Sequence, residues 1–140
     1  MAAAWPERAG DELADAMNAI EKHVVSATLT QADLLWNNSH LIAADGAMDA
    51  IRAVKARLGG DLQVMGSLTL ARSLISANLV DELRLMIEPV SVGGGKRLFP
   101  DDTNARPMLL VSHAVAPTGV LICTYQPNGE PFRTAHSDEL

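Results

Sequence analysis

The stretch from Asp61 to Phe99, DLQVMGSLTLARSLISANLVDELRLMIEPVSVGGGKRLF, limits the folds open to this chain more than any other. It reads as strand, tight turn, helix, strand and glycine loop. Leu62 to Met65 is a short apolar run, as expected of a strand buried on both faces. Gly66 and Ser67 interrupt it, and Leu70, Leu74 and Ile75 then recur at helical spacing, predicting a helix over 68–77. Asn78 and Asp81 close that helix, and Leu83, Leu85 and Ile87 mark a strand over 82–88. A glycine–serine turn that opens a helix presents unspent backbone N–H groups beside the positive end of the helix dipole, a geometry that suits phosphate. The same turn also serves many α/β proteins simply to reverse the chain.

The flanking sequence alternates strand and helix patterns. Leu13, Met17 and Ile20 are spaced i, i+4, i+7 and predict an amphipathic helix over 10–20. KHVVSAT, Lys22 to Thr28, follows as a strand, predicted over 22–27, with Val24 and Val25 buried. Residues 30–39 read as a polar loop that packs down through Trp36, and Leu41 and Ile42 as a very short strand. Ala47, Ile51, Val54 and Leu58 predict a core-facing helix over 47–58, stopped by Gly59-Gly60. Two strands, 108–115 and 119–125, flank the turn Ala116-Pro117-Thr118-Gly119 as a hairpin. The expected organisation is a lead-in over 1–9, one domain over 10–127 and a tail over 128–140. The expected fold is α/β, a mostly parallel sheet with a C-terminal antiparallel hairpin.

Composition excludes several functions. A net charge of −6 over 140 residues argues against nucleic acid or an anionic membrane as partner. No apolar run is long enough for a membrane span, and the first residues lack the basic and apolar regions of a signal peptide, so a cytoplasmic location is expected. The terminal SDEL and the sequon at Asn37 then read as chance. Cys123, the single cysteine, lies in the apolar run GVLICTY and reads as a buried strand position. His23, His40, His113 and His136 show no metal-ligand spacing, so no metal is expected. Gly93-Gly94-Gly95-Lys96 is not a triphosphate loop, because Arg97 stands where Ser or Thr should follow the lysine. Ser26 and Thr28 end one strand, and Gly66 and Ser67 end another. Were those strands parallel neighbours, the hydroxyl and N–H groups would meet in one crevice at the sheet's carboxyl edge. Plain turn and helix capping explains the same residue types.

Three segments carry a further resemblance: KHVVSATLTQADLLWNNSHLI, then LQVMGSLTLARSLISANLVDELRLMIEPVSVGGGKRLF, then GVLICTYQP. Over about residues 20–127 the chain resembles the dihydrofolate-reductase-like superfamily. The nearest branch is the reductase domain of the bifunctional riboflavin-biosynthesis deaminase–reductase and its stand-alone relatives. The resemblance implies a three-layer α/β/α domain that binds NADPH and passes hydride to a pterin-like or aminopyrimidine ring. It places Ser26 and Thr28 near the adenosine ribose and its 2′-phosphate. Gly66, Ser67, Leu68, Thr69 and Leu70 would line the pyrophosphate and nicotinamide end. Two departures stand out. Relatives often read V-S-R-T-L, whereas Ala27 here supplies no charge for a 2′-phosphate, so NADH is not excluded. Relatives also usually begin with an apolar strand, a substrate loop and a G-R-x-T-Y helix start, so the domain is expected to be truncated at its N-terminus. No catalytic residue follows from the resemblance. The alternative expectation is a shortened, non-catalytic module for nucleotide binding or assembly. An unpaired sheet edge in either case implies a homo-oligomer.

Overall fold

The computed structural model describes residues 5–8, 10–57, 59–64, 67–99, 102 and 104–129. The chain divides into two compact units, Met1–Leu62 and Gln63–Leu140.

In the first unit, helix α1 (Glu12–Ala19) opens at Asp11, whose carboxylate accepts the N–H groups of Leu13 and Ala14 at 2.9 and 3.1 Å. Its inward face differs from the one expected. Ala14 is fully buried, whereas Leu13 and Ile20 are exposed. Polar tethers decide the rotation. Asn18, one turn after Ala14, donates to the Trp5 carbonyl and accepts the Trp36 Nε1–H at 2.8 Å. Strand β1 (Lys22–Ser26) runs parallel to β2 (Ser39–Ala43) in register from Lys22 opposite Ser39 to Ser26 opposite Ala43. The connection between them packs through a half-buried Trp36, as its sequence implied. Lys22 Nζ lies 4.6 Å from the Trp36 ring centroid and donates to the carbonyls of Met17, Asn18 and Ile20, which caps the negative end of α1. Burial lowers the pKa of this ammonium. Helix α2 (Ala47–Ala56) starts from Gly46, where a φ of +74° favours glycine, and turns Ala47, Ile51 and Val54 inward. Leu58, the fourth residue of that stripe, lies outside the described residues.

The second unit contains helix α3 (Leu68–Ser76) and strands β3 (Leu83–Ile87), β4 (Met108–Val115) and β5 (Leu121–Pro127). The three strands form an antiparallel sheet in the order β3-β5-β4. Cys123 is buried on the central strand β5. The hairpin turn between β4 and β5 is fixed by Pro117 and by Gly119, whose φ is +86°. Leu70, Leu74 and Ile75 form the inward stripe of α3.

Two expectations about the sheet are corrected. The strand expected at 62–65 does not form over 62–64, which have no strand partner and leave Leu62 and Val64 about half exposed, and Met65 lies outside the described residues. A four-residue apolar run has too little identity of its own to be a strand without a neighbour that pairs with it. The sheet is also not mostly parallel. Among the described residues only the β1–β2 pair is parallel; β3 pairs antiparallel with β5 and extends the C-terminal hairpin to three strands. The fold is therefore mixed α/β, with one parallel and one antiparallel sheet among the described residues. Among the described residues no helix is long and apolar enough to cross a membrane.

Candidate functional site

Ser67 holds the start of α3. Its Oγ accepts the Leu70 N–H at 3.2 Å, and its carbonyl accepts the Ala71 N–H at 3.0 Å. The N–H groups of Leu68 and Thr69 have no acceptor among the described residues. The Thr69 carbonyl is taken by the Ser73 hydroxyl at 3.1 Å. Ser67 sits at φ +56°, a left-handed conformation uncommon for a residue with a Cβ. First-turn chemistry separates this helix from the other two described α-helices. Helix α1 carries Glu12 and Asp15 in its first turn and α2 carries Asp49, so each meets its own dipole. The first turn of α3 holds no acid, which leaves about half a positive charge and two N–H donors for an external anion. Gly66, which completes the expected turn, lies outside the described residues.

Ser26 and Thr28 form a tight turn at the carboxyl end of β1. The Ser26 Oγ accepts the N–H groups of Thr28 and Leu29 at 3.2 and 3.1 Å and lies 3.5 Å from Thr28 Oγ1. Both hydroxyl groups thus belong to one turn, with Thr28 exposed. From Ser26 to Asp33 the only charged side chain is that of Asp33. The Thr30 hydroxyl and N–H, at 2.6 and 2.7 Å, hold its carboxyl below the usual carboxylate range. Ser26 and Thr28 belong to the first unit, and Ser67, Leu68, Thr69 and Leu70 to the second.

Sequence spacing alone missed a second polar cluster. His23 and His40 are register partners at the amino end of the β1–β2 pair, with ring centroids 5.8 Å apart. Both imidazoles approach Glu21 Oε1, at 3.4 and 3.6 Å, and Arg57 Nη2 reaches the same oxygen at 3.3 Å. The cluster ties both strands to the end of α2. Equal parity within two paired strands was its only sequence signal. Among the described residues no group of three His, Cys, Asp or Glu side chains is disposed to hold a metal ion. The glycines at 93–95 form an exposed, irregular turn with open space around them.

A family model, that of the RibD C-terminal domain, matches residues 1–122. The chain belongs to this family. It is also 30% identical over 118 residues to YyaP, an uncharacterized protein of Bacillus subtilis (strain 168). That match takes in 84% of this chain and 61% of YyaP, so the chain spans about six-tenths of that relative's length. Two solved structures share its fold. One, provisionally named a riboflavin biosynthesis protein, comes from Shewanella sp. PV-4. It superposes with a TM-score of 0.66 at 21% identity, over 79% of this chain and 62% of that one. The other is a pyrimidine reductase-like protein from Corynebacterium diphtheriae NCTC, with a TM-score of 0.55 at 19% identity, over 77% and 50% of the two chains. The resemblance read from G-S-x-x-L, L-V-D-E-L and G-G-G-K-R-L-F to the reductase domain of riboflavin biosynthesis is thereby borne out.

Proposed function

We propose that this RibD C-terminal domain is a pyridine-nucleotide-dependent reductase, acting on a pterin-like or aminopyrimidine ring, within a three-layer dihydrofolate-reductase-like arrangement. Family membership supplies the reaction class. The observation that carries the cofactor reading is the start of α3, a helix end with two unspent N–H donors and no acid in its first turn. The donor set fits a pyrophosphate. Leu68 and Thr69 would hold it through backbone N–H groups, with Ser67 fixing the turn. For the first unit, the family resemblance taken by itself assigns Ser26 and Thr28 to the adenosine ribose. When bound, the nicotinamide supplies the hydride, and the protein's share is to hold the dinucleotide and the ring substrate in register.

The 2′-phosphate end fits less well. Ala27 offers no charge, and Asp33, the nearest charged residue along the turn, is an ionised carboxylate. A missing charge-assisted contact costs about 1.5–3 kcal/mol, about one to two orders of magnitude in affinity. NADPH and NADH should therefore bind within a few-fold of each other. Calorimetric titration with both nucleotides tests this, and Ala27→Arg should raise the preference for NADPH about tenfold or more. A parent protein that already binds NADPH a hundredfold more tightly than NADH would contradict this reading of the turn.

A further inference from the structure

The polar cluster at the amino end of the β1–β2 pair turns on the placement of one proton, at His23 Nε2. Arg57 Nη2 stands 3.3 Å from that atom and Glu21 Oε1 stands 3.4 Å from it. The same Arg57 Nη2 lies 3.3 Å from the Glu21 oxygen. A guanidinium only donates hydrogen bonds, and an ionised carboxylate only accepts them. With a lone pair on Nε2 all three groups fit, because Nη2 carries two N–H groups, one for Glu21 and one for His23. With a proton on Nε2 the arrangement fails. The ring then donates to Glu21 and turns its N–H beside a guanidinium that has only N–H groups to offer. His40 sharpens the conflict. Its Nε2 lies 3.6 Å from the same Glu21 oxygen, and its ring centroid is 5.8 Å from that of His23. Once both rings are charged, two imidazolium groups and one guanidinium share a single carboxylate. Among the described residues, Glu21, just ahead of β1, and Arg57, at the end of α2, are the charged groups that face the two rings. Lys22, next along β1, points to the other face, over Trp36.

We propose that this cluster is a proton-driven exchange of partners: Arg57 holds the end of α2 to the strands while His23 is neutral, and lets go once His23 is protonated. Histidine is the side chain that ordinarily changes charge between pH 5 and 8. Exposure decides which partner leaves. The His23 side chain is 18% exposed and fixed in the strand ladder, whereas that of Arg57 is 57% exposed and can turn into water. Arg57 is also the residue that closes α2, with its N–H on the Val54 carbonyl at 3.2 Å. Its side chain therefore ties down the last turn of that helix. The cluster lies at the opposite end of β1 from Ser26, so the exchange touches none of the residues assigned to the cofactor.

Hydrogen exchange followed by NMR on the full chain is the test. After correction for intrinsic exchange rates, protection of the Ala56 and Arg57 amides should fall about threefold or more from about pH 7.5 to about pH 5.5. The amides of Leu74 and Ile75 in α3 should hold their protection. Arg57→Met keeps the apolar stem without the donors and should leave protection low at both pH values. His23→Gln should remove most of the pH response, whereas His40→Gln, which keeps the contested atom, should retain most of it. Arg57→Met alters only an exposed side chain, so the fold survives it and the test stands whether or not His23→Gln folds. Protection at the end of α2 that is indifferent to pH over this range would overturn the proposal. So would a response that survives Arg57→Met undiminished, or one that needs His40 but not His23.

Discussion

Ser67 combines a useful hydroxyl with an unfavourable backbone. The Oγ satisfies one N–H of α3, while a φ of +56° forces a Cβ into left-handed space. Replacing a serine cap by glycine costs a few tenths of a kcal/mol, and relieving the backbone returns about 1 kcal/mol. Ser67→Gly should therefore stabilise the fold by about 0.5–1 kcal/mol in urea unfolding, and a loss of stability would show that the cap outweighs the strain. Asp102 offers a second test at this scale. Arg106 grips it through two hydrogen bonds of 2.7 Å, and the carboxyl is pushed down to about 2. A depressed carboxyl adds stability above its unfolded pKa near 3.8 and loses that contribution as pH falls through about 2. Carboxyl NMR titration should place Asp102 near 2. Arg106→Gln should move it back toward the ordinary range.

The helices were the most legible elements, because apolar spacing and stop signals agreed. Helix α3 ends where Asn78 was expected to close it, and the reason lies in the backbone. Asn78 adopts φ +53°, its N–H donates to the Ile75 carbonyl at 3.1 Å, and the Leu79 N–H donates to the Leu74 carbonyl at 2.9 Å. This is the paired closure of a left-handed C-terminal cap, which tolerates asparagine and glycine but not branched residues. Asn78→Val should lower stability by about 1–2 kcal/mol, while Asn78→Gly should be neutral or better by chemical denaturation. Two features did not read through. The rotation of α1 is set by hydrogen bonds from Asn18 to Trp5 and Trp36, which apolar spacing does not register. The run at 62–64 is apolar enough for a strand, but strand identity depends on a partner that local sequence does not name.

Over the whole molecule, the order of motifs carried more than any single motif. G-S-x-x-L alone is compatible with a plain turn, yet with L-V-D-E-L and G-G-G-K-R-L-F it pointed to the family that residues 1–122 match. Pairing across distance was less legible. Neither the antiparallel partnership of β3 with β5 nor the meeting of His23, His40, Glu21 and Arg57 leaves a local signature. The part of the candidate site legible in advance was the backbone geometry at Ser67, since glycine, serine and a helix start specify it locally. Ser67→Asp is the decisive test of whether a dinucleotide phosphate sits at that helix start. An aspartate there still caps α3 and complements its dipole, so the melting temperature should hold or rise. Its charge should nonetheless repel the phosphate and weaken NADPH binding about tenfold or more in a calorimetric titration. An aspartate variant that binds NADPH as the parent does, or a parent that binds none, would rule out a phosphate site at this helix start.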